Sequence, residues 1–148
     1  MKQYDAKHIL NIAMAGHSGA GKTSVAEAML YLAKASDRLG KISDGNTMLD
    51  YDAEEIKRKV SVLTAVAPVE WKNMKINLID TPGLFDFEGA RSEGIRAAET
   101  AVIVLSCGHN VDVGAEKTLR AAGRKQLSKF IAVTKCDGEN RDIYKTLA

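Results

Sequence analysis

Gly16-His17-Ser18-Gly19-Ala20-Gly21-Lys22-Thr23 is the stretch whose reading decides the fold. It has the form G-x-x-x-x-G-K-T, a phosphate-binding loop, which requires a strand before it and a helix after it. The apolar run Ile9–Ala15 supplies the strand and the run Ser24–Ala35 the helix. Gly16 and Gly21 let the backbone curl without a Cβ clash, so successive N–H groups form an anion nest. The helix aims its positive end at the same point. Lys22 is placed to reach phosphate oxygens and the Thr23 hydroxyl to ligate Mg²⁺. The whole run, Gly16, His17, Ser18, Gly19, Ala20, Gly21, Lys22, Thr23 and Ser24, is the candidate phosphate site.

Outward from this loop, strands and helices alternate. Val25, Met29 and Leu32, with Ala26 and Ala33 beside them, recur at helical spacing and predict a face packed on a sheet. From Arg38 to Arg58 periodicity is lost among turn formers, and Asp50, Asp52, Glu54 and Glu55 make an acidic cluster read as a solvated face. Glu54 with Arg58, or Glu55 with Lys59, would pair at i,i+4 on a short helix. Few large apolar residues are available to dock Arg38–Lys59, so it is expected to be disordered or mobile without a ligand. Val60–Ala67 reads as a strand, with Pro68 marking a sheet edge. After a turn at residues 71–74, Lys75–Ile79 is a second strand, and the two form a hairpin.

Asp80-Thr81-Pro82-Gly83 follows directly. Leu84–Arg96 is a loop leading into a helix, Ala101–Leu105 a buried strand, and Val113–Leu127 carries helical spacing, with Leu119, Ala122 and Leu127 apolar and Lys and Glu between them. Phe130–Val133 is a last strand running into Thr134-Lys135-Cys136-Asp137, and a short helix opens near Asp142. The order implies an α/β protein with a mostly parallel sheet and one antiparallel strand. Ligand loops in such sheets lie at the carboxyl ends of the strands, so the three loops should meet at one site. There Asp80 would hold Mg²⁺, directly or through water, and Gly83 would let a backbone N–H approach a γ-phosphate. The Asp137 carboxylate would accept the paired N–H groups of guanine, which adenine does not offer.

Composition excludes some classes. A chain of 148 residues with formal net charge +2 is one domain without a polyanion footprint, and no sequence-specific DNA binding is expected. Few aromatics leave little for base stacking. Cys107 and Cys136 lack metal-ligand spacing and suit a reduced, cytoplasmic setting. No run approaches the roughly twenty apolar residues of a membrane span.

With these motifs in place, nearly the whole chain resembles the GTPase domain of translational GTPases, most closely the elongation factor G group. Asp44–Thr47 and Glu54–Val62 look like the family's first switch, and Asp80–Phe87 like its second. The resemblance implies a P-loop NTPase G domain with helices on both sheet faces. It implies GTP and GDP with Mg²⁺ as ligands, Thr23, Ser61 and Asp80 at the metal, and Thr134, Lys135 and Asp137 at the base. It also implies GTP-ordered switches and a ribosome that stimulates hydrolysis. Three positions depart from the family pattern. Leu84 stands where many members have a water-orienting His, Gly19 where many have Asp, and Thr134 where Asn is commoner. Neither His17, inside the loop, nor His109, in a turn past the fourth strand, replaces the missing His. No catalytic residue is assigned, and a nucleotide-binding regulatory module with negligible hydrolysis is the rival reading. A ribosomal protection or release-factor-type GTPase would share these loops, and Asp137 disfavours an ATPase. The family's domain continues to a further strand and helix after its base-binding loop, so residues 1–148 are expected to be an incomplete GTP-binding domain of a longer factor.

Overall fold

The computed structural model describes residues 2–108, 111–139 and 141–147. His109, considered above as a substitute for the missing histidine, lies outside the described residues. Among the described residues five strands form one sheet: β1 (Ile9–Gly16), β2 (Ala65–Trp71), β3 (Met74–Asp80), β4 (Thr100–Ser106) and β5 (Ser128–Thr134). The spatial order is β2-β3-β1-β4-β5. Only β2 runs antiparallel to its neighbour; β3, β1, β4 and β5 are parallel. The helices are α1 (Lys22–Leu32), α2 (Ala53–Arg58), α3 (Glu88–Arg96), α4 (Val113–Arg124) and α5 (Ile143–Leu147).

Alternation along β1 explains the two layers. Met14 points to one face, where it packs with Leu78, Val104 and, from α1, Ala26 and Leu30. Ala13 points to the other, with Ile79 and Ala98 at the foot of α3. On that second face Ile103 and Leu105 meet Ala115 of α4. Register places Met14 opposite Asp80 and Gly16 opposite Val104. The phosphate loop and the Asp80 loop therefore leave the sheet side by side.

Several element bounds differ from the sequence expectation. Helix α1 starts at Lys22 rather than Ser24 and stops at Leu32, and Lys34 takes a left-handed φ of 57°. Leu32 is 71% exposed, so it is no part of the packed face; Leu30 fills that role. Val60–Thr64 is not strand. The N–H groups of Val62 and Leu63 donate to Glu55 Oε1 at 2.9 and 3.0 Å, which takes them out of reach of a ladder. The strand begins at Ala65 and runs to Trp71, with Ala65, Ala67 and Val69 buried and alternate residues exposed. Pro68 sits on this edge strand, as expected. Lys72 and Asn73 both have positive φ, 45° and 63°, which makes the two-residue hairpin turn whose twist suits the flanking strands. Helix α4 ends at Arg124, three residues early, and Leu119 is exposed while Thr118 is buried in its place. The helix near Asp142 forms, with that carboxylate accepting from Tyr144 and Lys145 N–H.

Candidate functional site

The glycines of the loop have separate physical reasons. Gly16 has φ 146°, and a Cβ there would lie 2.4 Å from the Val104 carbonyl oxygen on the adjacent strand. Gly21, the N-cap of α1, is left-handed at φ 95°. Between them the loop curls back so that Lys22 Nζ donates to the His17 carbonyl at 2.9 Å. Lys22 is only 6% exposed, and burial pulls its pKa below the ordinary lysine value, with Asp80 opposing that shift and Arg91 adding to it. Gly83 stands against the same ammonium: a Cβ there would be 2.4 Å from Lys22 Nζ and 2.6 Å from the Ser18 nitrogen. The second loop thus crosses the first at backbone distance, which only glycine permits.

The hydroxyls and carboxylates behind Lys22 form a chain. Thr23 donates to Asp80 Oδ2 at 2.6 Å, Ser61 donates to Asp50 Oδ1 at 2.6 Å, and the Thr23 and Ser61 oxygens are 3.1 Å apart. With both carboxylates ionised, each hydroxyl has given its only proton away. Two lone-pair-bearing oxygens then face one another with no proton between them. Asp80 Oδ1 is buried without any partner. Burial pushes the Asp80 carboxyl up to about 7, with the Thr23 hydroxyl and Lys22 opposing it; Asp50 is raised too, mainly by burial. A divalent cation would relieve the orphan carboxylate oxygen and the opposed lone pairs together, and oxygen donors of this kind suit Mg²⁺. The residues present therefore fit that ion.

In front of this chain lies a cavity of about 330 Å³ whose walls include Ser18, Gly19, Lys22, Thr23, Ser61 and Lys135. Gly21, Ser24 and Gly83 line it as well. Ala20 is buried, and its carbonyl accepts from the Thr134 hydroxyl at 2.6 Å. The same hydroxyl lies 3.1 Å from the Leu105 carbonyl. Thr134 braces the phosphate loop with its one hydroxyl where the family commonly uses an amide. Lys135 reaches the cavity from a left-handed backbone, φ 56°. Asp137 does not line it; it is exposed, three residues beyond β5. His17 faces away, its ring centroid 6.1 Å from that of Phe85, and its Nδ1 is buried without a partner. Leu84 is half-buried and opens the turn that carries Phe85.

The acidic cluster corrects the sequence reading most sharply. Glu54 is exposed and pairs with Arg58, as one of the two expected pairings. Glu55 is 1% exposed and completes a capping box with Asp52, besides holding Val62 and Leu63. Asp50 is buried against Ser61. Glu27, given no role in the sequence, is fully buried, and its Oε1 accepts from Met48 and Leu49 N–H at 2.7 and 3.1 Å. Leu49 enters the core beside α1, so the segment after Arg38 does have an apolar anchor. Two signals were available: Asp52-x-x-Glu55 is a capping-box pattern, and Glu27 interrupts an otherwise apolar helix face.

The model of the elongation factor Tu GTP-binding domain matches residues 7–148. The chain belongs to that family. It is 36% identical over 129 residues to an elongation factor G-like protein of Mycobacterium tuberculosis, covering 87% of this chain and 18% of that protein. It is 34% identical over 137 residues to elongation factor G of Granulibacter bethesdensis, covering 93% and 20%. The mitochondrial ribosome-releasing factor 2 of Anopheles gambiae is 35% identical over 137 residues, covering 93% and 19%. A solved protein of Thermus thermophilus superposes with a TM-score of 0.90 at 36% identity, over 95% of this chain and 21% of that one. This chain spans about a fifth of the length of these relatives. The expected likeness to elongation factor G-like GTPase domains, and the mostly parallel sheet with one antiparallel strand, are both borne out. Among the described residues no helix is long and apolar enough to cross a membrane.

Proposed function

We propose that this GTP-binding domain takes GTP and GDP with Mg²⁺ and hydrolyses GTP by attack of water on the γ-phosphate, as part of an elongation factor G-like protein that acts on the ribosome in the cytoplasm. The observation that carries the reading is the meeting of Lys22, Thr23, Ser61 and Gly83 around one cavity, with Asp80 bonded to Thr23 behind them. The loop N–H groups and Lys22 bind the phosphates. Thr23, Ser61 and Asp80 would hold the cation, which neutralises charge on the β- and γ-phosphates. The N–H of Gly83 meets the γ-phosphate from the second loop. Thr134 steadies the phosphate loop, Lys135 flanks the cavity, and the exposed Asp137 carboxylate accepts two hydrogen bonds from guanine. The ribosome as partner rests on the relatives' names as elongation factors and a ribosome-releasing factor.

Leu84 supports a second reading, a binding module with negligible turnover, because its side chain can neither donate to nor accept from an attacking water. A positioned orienting group contributes about 10²–10⁴-fold. Fluorescent-nucleotide titration and single-turnover hydrolysis, each with and without ribosomes, test both readings. GDP should bind up to roughly 10⁴-fold more tightly than ADP, and Asp137→Asn should shift preference toward xanthine nucleotides. Equal affinity for the two bases refutes the guanine assignment. In the longer protein, tight GTP binding with no ribosome-stimulated hydrolysis would leave the binding module.

A further inference from the structure

The two cysteines of the chain lie far apart in sequence and meet in the fold. Strands β4 and β5 pair with Ser106 opposite Thr134. Cys107 therefore directly follows the end of one strand, and Cys136 stands just past the end of its neighbour. The Cys107 N–H donates to the Thr134 carbonyl at 2.8 Å. The Cys136 sulfur lies 3.8 Å from that same oxygen and 3.8 Å from the Val133 carbonyl. Lys135, between them, is left-handed at φ 56°, and this reversal folds Cys136 back over the strand end. The Cys107 side chain is its hydrogen-bonding partner there. Paired strands run about 4.8 Å apart, within the roughly 4.4–6.8 Å between Cα atoms that a disulfide spans. Both residues are free thiols.

The pair is asymmetric. Cys136 is exposed, while Cys107 is buried, its sulfur 3.9 Å from the Thr146 hydroxyl of α5. One thiol is open to a reagent in solution, and the other is shielded from it but within reach of the first, as in a reactive thiol with its resolving partner. Desolvation, the Cys107 thiol and the Asp137 charge each push the Cys136 thiol up, so exchange is slow at neutral pH and faster in mild alkali. Cys136 also sits at a sensitive place. Lys135 before it lines the nucleotide cavity, and Asp137 after it does not. To meet a guanine base the Asp137 carboxylate has to swing inward, and a tether at Cys136 would prevent that movement.

We propose that Cys107 and Cys136 are an oxidation site: they close to a disulfide that holds the base loop out of its guanine-binding position. The effect on binding, though not the bond, rests on the guanine reading of Asp137. The oxidant is a small disulfide such as glutathione disulfide. The Cys136 thiolate attacks one glutathione sulfur, forming a mixed disulfide and releasing one glutathione thiolate. The Cys107 thiolate then attacks the Cys136 sulfur and expels the second. Two cysteine thiols are oxidised, one glutathione disulfide is reduced to two thiols, and the two cysteine protons end on glutathione.

The whole chain is equilibrated at pH 8 in glutathione buffers of rising disulfide fraction, quenched with acid and mapped by mass spectrometry. A monomer lighter by two hydrogens is expected, with one peptide joining Cys107 to Cys136. Its GDP affinity should fall about tenfold or more, the loss of charge-assisted contacts at Asp137, and dithiothreitol should restore it. Affinity for inorganic pyrophosphate, which carries no base, should stay unchanged, which separates the tether from unfolding. Cys136→Ser should keep its GDP affinity in the same buffers, and Cys107→Ala should stop at the glutathione adduct on Cys136. A wild-type adduct without ring closure, a disulfide joining two chains, or an intramolecular disulfide that leaves GDP affinity unchanged would each overturn the proposal. Equal affinity of the reduced protein for GDP and ADP would instead refute the guanine reading and the effect built on it, while the peptide map still decides the bond.

Discussion

Replacing Asp80 by asparagine should stabilise the empty domain while disabling it. Burial raises the Asp80 carboxyl from 3.8 to about 7 in the folded chain. A carboxyl with a raised folded pKa binds its proton more tightly in the native state than in the unfolded one. Its contribution to stability is thus fully present below about pH 4 and is lost as pH rises through 7. At about 1.4 kcal/mol per unit, the full cost reaches about 4 kcal/mol above pH 7, and about 3 kcal/mol of it develops between pH 5 and pH 8. The asparagine side chain carries no charge at either pH, and its amide oxygen can still accept from the Thr23 hydroxyl. Part of the gain is returned, because Lys22 is buried and Asp80 is the strongest charge favouring its ionised form.

The assay is chemical denaturation of the two proteins at pH 5 and pH 8, free of nucleotide and with divalent ions chelated. Titratable groups far from Asp80 are common to both proteins and cancel in the difference. Wild-type stability should fall relative to Asp80→Asn by about 2–3 kcal/mol across that interval. Adding GDP with Mg²⁺ at pH 8 should reverse the ranking. Only the wild type then gains the binding term RT ln(1 + [L]/Kd) in full. Parallel pH profiles for the two proteins would refute the reasoning. They would mean that Asp80 is not held in the desolvated, half-satisfied state described above.

Two further substitutions probe the loop itself. Gly16→Ala would force a Cβ to 2.4 Å from the Val104 carbonyl in a left-handed backbone. It should cost about 3 kcal/mol and lower the melting temperature by roughly 10 °C, and a melting temperature within error of wild type would contradict it. Thr134→Ala removes the hydroxyl that bonds the Ala20 carbonyl. It should cost about 1 kcal/mol and speed GDP release several-fold, whereas Thr134→Ser should release GDP at nearly the wild-type rate in the same stopped-flow measurement.

The three loops were legible because the chemistry of each lies within a few consecutive residues. A glycine pair, a lysine and a hydroxyl read as a phosphate cradle wherever strand and helix flank them, and the parallel order then brings Asp80 and Thr134 to the same edge. What escaped the sequence was written over longer distances. Val60–Thr64 has every local mark of a strand, yet its amides turn to Glu55, a partner that periodicity cannot reveal. Asp50, Asp52, Glu54 and Glu55 look alike as a charge cluster, but only Asp52 and Glu54 of the four are exposed. The other two are buried: Asp50, ahead of the N-cap, accepts from Ser61, and Glu55, in the first turn of α2, accepts from Asp52, Val62 and Leu63 N–H.

That difference in legibility has a physical consequence for the site. Around the nucleotide cavity, the chain is held by carboxylates, through backbone N–H groups and the Ser61 hydroxyl, more than by apolar packing. Glu27 holds Met48 and Leu49, Glu55 holds Val62 and Leu63, and Asp50 holds Ser61. Hydrogen bonds to a carboxylate exchange with water at modest net cost, whereas a packed apolar core yields only by leaving a cavity. The segment that carries Ser61 to the proposed metal position is therefore fastened by contacts that can open without disturbing the sheet, with Leu49 the one deeply buried apolar anchor in it. Such a fastening is suited to a segment that closes over a γ-phosphate and releases when it is lost. It also explains why hydrophobic patterning, the strongest guide to the rest of the fold, falls silent there.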